Sequence, residues 1–181
     1  MKTLKTLQSL SKLGKVLSTI VFILCIVGAA MCAVGIPCLA LIPEEGFRLG
    51  DMTIKGLVEK GELSVSTCYA TMACGIILCA GEAVLAKFAQ RYFTNELKAG
   101  TPFTFDGAKE LMRLGILAIC IPIGTSIVAG ICYGIFKLVM PDVGDVEMHS
   151  GVSVGLGIMM IVASLLCRLG AENAEKQKQV E

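Results

Sequence analysis

One carboxylate stands inside an otherwise apolar stretch of this sequence, and its chemistry needs accounting for first. Glu82 follows the uncharged run Thr67 to Gly81. An ionised carboxylate surrounded by hydrocarbon costs several kcal/mol unless it is paired, hydrated or protonated. Gly75, Cys79, Glu82, Ala86 and Ala89 fall at spacings of three and four, so they share one helical face. Small residues on that face admit a second helix closely, which is expected to turn Glu82 inward. Counted from the outer ends of two segments running in the same direction, Arg168 lies at similar depth. The expectation is an interhelical ion pair between Glu82 and Arg168, with Arg113 as the second candidate partner. A proton or ion pathway is the rival reading, for which only Pro122, Thr125 and Ser126 offer further polar or helix-breaking groups.

Other chemistry is sparse. The nine cysteines, at 25, 32, 38, 68, 74, 79, 120, 132 and 167, lie in or beside apolar runs, and none forms a Cys-x-x-Cys pair. Metal ligation needs Cys and His clustered at short spacing, and His149 is the single histidine. No metal or cofactor site and no disulfide framework is expected; the thiols read as small helix-contact residues. The sequence has no phosphate loop, His-Glu-x-x-His or Gly-x-Ser-x-Gly. The chain is therefore expected not to be an enzyme.

The elements that carry these residues follow from hydrophobicity. Of 181 residues, 55% are hydrophobic and 17% charged, against about 45–50% and about 25% in soluble domains. The excess lies in four runs, about 16–42, 67–93, 114–140 and 151–168. Each is long enough, or nearly so, for a transmembrane helix of about 20 residues. The predicted fold class is all-α, a polytopic membrane protein with four transmembrane helices. The first run would extend ~40 Å, ample to span with tilt, and Pro37 permits a kink near its outer end. It far exceeds the ~7–15 apolar residues of a signal-peptide core, so it is expected to remain as a span. Pro122 interrupts the third run and predicts a kinked span. The fourth is the shortest.

Residues 1–15 form a predicted cytoplasmic amphipathic segment, 16–170 the membrane domain, and 171–181 a cytoplasmic tail. Leu4, Leu7, Leu10, Leu13 and Leu17 recur at helical spacing opposite lysines. This suits either an interfacial helix on an anionic inner leaflet or a continuation of the first span. In the acidic loop between Pro43 and Ser66, Ile54, Leu57 and Val58 are expected to form one short amphipathic turn. Ser126, Gly130 and Gly134, and then Gly151 and Gly155, repeat at intervals of four. Both patterns predict close helix contact, within one chain or in a homo-oligomer.

Positive charge sets orientation, because translocation keeps Lys and Arg on the cytoplasmic side. Twelve of the sixteen Lys and Arg residues lie in the N-terminal tail, the connector around 87–113 and the C-terminal tail. Four lie in the other two connectors. Both termini are therefore expected inside, N-in and C-in, in contact with a lipid bilayer and not with nucleic acid directly.

The segment from Tyr92 to Leu117 reads YFTNELKAGTPFTFDGAKELMRLGIL, and IVASLLCRLGAENAEKQ follows late in the chain. These resemble an uncharacterised bacterial four-span family, domain of unknown function 2975. There an apolar span leads through a basic linker and a Gly-x-Pro-Phe-Thr turn to a short helix ending in Arg-x-Gly. The matching residues are Gly100, Pro102, Phe103, Thr104, Arg113 and Gly115, and later Arg168, Gly170, Ala171, Glu172 and Gln177. The likeness covers the C-terminal half; the N-terminal half shares only the layout, with a longer and more acidic first outer loop. It implies a bacterial inner-membrane protein with no assigned reaction, often accompanied by a small helix-turn-helix regulator. Physically, the same segment predicts an ordered elbow: Thr104 or Asp106 caps the helix beginning near Gly107, and Phe103 docks on the bundle. The expected function is sequestration of such a regulator, with Lys98 to Arg113, notably Lys109, as docking surface. A solvated turn that only fixes topology is one alternative; a small transporter, channel or toxin-immunity component working around Glu82 is another.

Overall fold

A computed structural model describes residues 2–41, 48–49, 52–53, 64–100, 103–140, 143–144 and 154–180. Among the described residues the chain is mainly helical, with one minimal hairpin. Helix α1 spans Lys2–Leu41, α2 Val65–Ala99, α3 Phe105–Val139 and α4 Val154–Val180. Strands β1 (Arg48–Leu49) and β2 (Met52–Thr53) pair antiparallel, Arg48 opposite Thr53 and Leu49 opposite Met52. All four helices are long and apolar enough to cross a membrane. The expected turn at Ile54, Leu57 and Val58 lies outside the described residues.

The helices outrun the apolar segments that predict them. The 40 residues of α1 pass the boundary at 15/16 without a break. Ser18 donates to the carbonyls of Gly14 (2.8 Å) and Lys15 (3.1 Å), and Thr19 to that of Lys15 (2.8 Å). Hydroxyls satisfied by their own helix carry little penalty in an apolar setting. Thr71, Thr94 and Ser164 do the same, donating to Thr67, Gln90 and Ile161. Pro37 and Pro122 lie within helices that are continuous around them.

The chain divides into two compact units, one made of residues 1–24, 81–123 and 150–181, the other of 25–80 and 124–149.

In the first unit, Tyr92 of α2 joins Leu111 and Leu114 of α3 in a buried core, bordered by Phe88, Phe93, Met160 and Cys167. The Tyr92 and Phe93 rings meet edge to face, centroids 5.3 Å apart. Buried Ala108, Leu111, Gly115, Ala118 and Pro122 follow a three-four spacing along α3, and Gly157, Ser164 and Ala171 recur every seven residues on α4. That period keeps one seam facing a neighbour. The tightest point is Gly115 against Gly157: a Cβ at Gly157 would fall 2.9 Å from the Gly115 carbonyl oxygen, and one at Gly115 3.0 Å from that of Gly157. Only glycine permits this crossing. On α1, Ser11 and Ser18 are buried, and Gly14 lies under the Phe93 ring.

In the second unit, α1 meets α2 through small residues. A Cβ at Gly75 would fall 3.2 Å from Cys32 Sγ, and one at Gly28 3.4 Å from Cys79 Sγ. Ser64 caps α2, accepting the Thr67 N–H at 3.1 Å. Thr67, only 1% exposed, accepts the Gly144 N–H at 2.9 Å, while Tyr133 donates to the Gly144 carbonyl. Cys74 donates to the Ala129 carbonyl at 3.3 Å, joining α2 to α3.

Candidate interaction site at the α2–α3 elbow

The elbow is built by two helix ends. At Gly100 φ is +75°, a left-handed conformation that costs glycine least and ends a helix. Its N–H donates to the Glu96 carbonyl at 3.0 Å. On the far side the Thr104 hydroxyl accepts the Gly107 N–H at 3.0 Å, and the Thr104 carbonyl takes the Ala108 N–H at 2.9 Å. Thr104 is thus the cap of α3. Asp106 stands in the first turn, where a negative charge meets the positive end of the helix dipole. Pro102 lies outside the described residues.

Ties from elsewhere in the unit hold the turn. Gln8 of α1 donates to the Gly100 carbonyl at 3.4 Å, and Ser11 to Glu96 Oε1 at 2.9 Å. Asn95 donates to both Glu110 oxygens, at 2.8 and 3.1 Å, clasping α2 to α3. Gln90 reaches Thr19 at 2.9 Å. Phe103 lies against α4: a Cβ at Gly170 would fall 2.7 Å from its Cδ1. The Tyr92–Leu117 stretch and the segment around Gly170 therefore meet here, one supplying the ring and the other the glycine against it. The ring is nonetheless 50% exposed.

A groove of about 720 Å³ opens along the elbow, lined among others by Asn95, Glu96, Thr104, Asp106, Lys109, Glu110 and Arg113. Its acids come from both helices, and Lys109 and Arg113 are exposed at its margin. Such a surface suits polar recognition of a protein segment carrying both signs of charge. Among the described residues no group of three or more His, Cys, Asp and Glu is arranged to hold a metal ion.

The other expected site residues are distributed differently. Glu82 is half-buried on α2. Arg168 donates Nε to Glu172 Oε1 at 3.3 Å, one turn along its own helix, with the side chains 63% and 43% exposed. Among the described residues no ion pair joins Glu82 to Arg168 or Arg113. Depth along a helix does not fix direction around it, and Arg168 sits on the exposed side of α4 beside Leu165 and Leu169. Ser126 is half-buried, and Gly130 and Gly134 have open space where a Cβ would stand. The expected close contact within the chain is absent at these two glycines. Gly151 lies outside the described residues and Gly155 is on an exposed face. The glycines that do meet helices include Gly14, Gly115, Gly157 and Gly170. For Gly157 the signal was the seven-residue period of small residues that it shares with Ser164 and Ala171.

Fold and elbow define a helical protein with four membrane-length apolar helices and an ordered interhelical turn. The chain matches no known family, no curated protein and no solved structure.

Proposed function

We propose that this is a non-catalytic, multi-pass protein of the bacterial inner membrane, both termini cytoplasmic, that docks a cytoplasmic protein at the α2–α3 elbow. The observation that carries the proposal is the elbow's construction. A loop serving only as a connector needs no cross-ties, yet Gln8, Ser11, Asn95 and Phe103 each tether this one to another element. The tethers leave the groove open and Phe103 half accessible. Rigid presentation of an exposed aromatic beside mixed charge reduces the ordering cost of binding. The resemblance to domain of unknown function 2975 makes a small helix-turn-helix regulator the leading partner, held at the membrane away from its operator.

Co-purification from detergent extracts with the neighbouring gene's product tests the proposal. Retention by the native chain, lost in Phe103→Ala and Lys109→Glu, is expected. Undiminished retention after replacing all of Lys98 to Arg113 with a flexible linker refutes docking at the elbow. Tags at both ends read out topology, and labelling on opposite faces overturns the orientation.

A further inference from the structure

Beside the elbow lies a second, smaller recess that shares Glu110 and Arg113 with the groove and adds Arg91. Arg91 of α2 and Arg113 of α3 line one cavity of about 70 Å³, walled by Phe88, Leu114 and Leu117. Arginines from two different helices line one small volume, where their like charges favour an anion. Glu110 shares the lining, both its oxygens accepting the Asn95 amide, so the two arginines leave the recess with an excess of one positive charge. Among the described residues neither arginine makes an ion pair, and both are exposed.

The position along the chain selects the anion. Arg113 is the last charge before the uncharged run Leu114 to Phe136, and Arg91 follows Lys87 just past the apolar part of α2. If those runs occupy hydrocarbon, the arginines stand at the level of the phosphates of the cytoplasmic leaflet. The volume admits a single phosphate group. Phe88, Leu114 and Leu117 would face the glycerol and first methylenes of a lipid, contacts that inorganic phosphate lacks. We infer that Arg91 and Arg113 form a binding site for the phosphate of an anionic phospholipid, each guanidinium donating paired N–H groups to phosphate oxygens. The inference rests on the membrane-spanning reading above.

The test uses the full chain in detergent. Native mass spectrometry compares retention of phosphatidylglycerol with phosphatidylcholine of identical acyl chains, with millimolar inorganic phosphate as competitor. Phosphatidylglycerol is expected to be retained on the order of tenfold more strongly, and phosphate not to displace it. Arg91→Gln/Arg113→Gln should abolish the preference, while Lys12→Gln/Lys176→Gln, which removes the same charge elsewhere, should keep it. On the native chain, phosphatidylglycerol should also protect Arg91 and Arg113 from phenylglyoxal, mapped by peptide mass; this readout does not require the double variant to fold. Equal retention of both lipids, an unchanged preference in Arg91→Gln/Arg113→Gln, or displacement by phosphate overturns the site. Carbonate-washed membranes separate the two failures. A chain released by carbonate sinks the membrane reading, and one retained without lipid preference sinks only this inference.

Discussion

Replacing Gly157 by alanine puts a methyl group where the Gly115 carbonyl oxygen is 2.9 Å away and Ile119 Cγ1 is nearer still. The isoleucine can rotate, but a carbonyl in mid-helix cannot, so α4 must move off α3. Overfilling a tight contact costs about 1–3 kcal/mol. The helix recovers about 1 kcal/mol because alanine is the better helix former. The net loss is about 0–2 kcal/mol, which for a chain of this size lowers the thermal midpoint by up to about 8 °C. Gly130→Ala is the internal control, since nothing lies within 4 Å of its added Cβ. There the propensity gain stands alone, and the midpoint should hold or rise by about 2 °C. Circular dichroism of both variants in the same detergent is the assay. Opposite signs are expected; equal shifts would mean that the crossing at Gly115 and Gly157 does not hold α3 to α4.

Three further outcomes follow from the elbow and the membrane segments. Glu82→Gln should leave the thermal midpoint unchanged or raise it, since no ion pair is lost; a buried pair would instead cost about 3–5 kcal/mol when broken, visible by the same melt. Asn95→Leu strands the Glu110 carboxylate and should cost about 1–3 kcal/mol, with faster tryptic cleavage after Lys98; Glu110→Gln keeps an acceptor and should cost less. Thr104→Ala removes the cap of α3 and should cost about 0.5–2 kcal/mol, read as faster amide exchange at Gly107 and Ala108 with little change in α2.

Hydrophobic runs located all four helices, because segments of this length and apolarity have few alternatives to helix. Their ends were harder to read. Polar stretches such as Lys2 to Lys15 and Lys87 to Ala99 continue as helix beyond the apolar runs, held by residues distant in sequence: Ser11 by Glu96 and Thr19 by Gln90. The elbow was legible at Gly100 and Thr104, where backbone conformation and capping depend on local residue type. Phe103 was expected to dock on the bundle, and it rests on Gly170. The direction of Arg168 was not legible, since it depends on how α4 is rotated, which Gly157, Ser164 and Ala171 decide. Gly130 and Gly134 show the same limit: spacing marks small residues but not which neighbour reaches them.

Phe103 resting on Gly170 has a consequence for anything that grips either end of the contact. The ring begins the α3 arm, and the glycine precedes the last eleven residues of the chain. A molecule that draws the helix away at Gly170 exposes more of the ring; one that pulls the ring off removes a contact from the helix. Linkage makes the two effects equal in free energy, so affinities measured with the tail deleted will not be those of the whole chain.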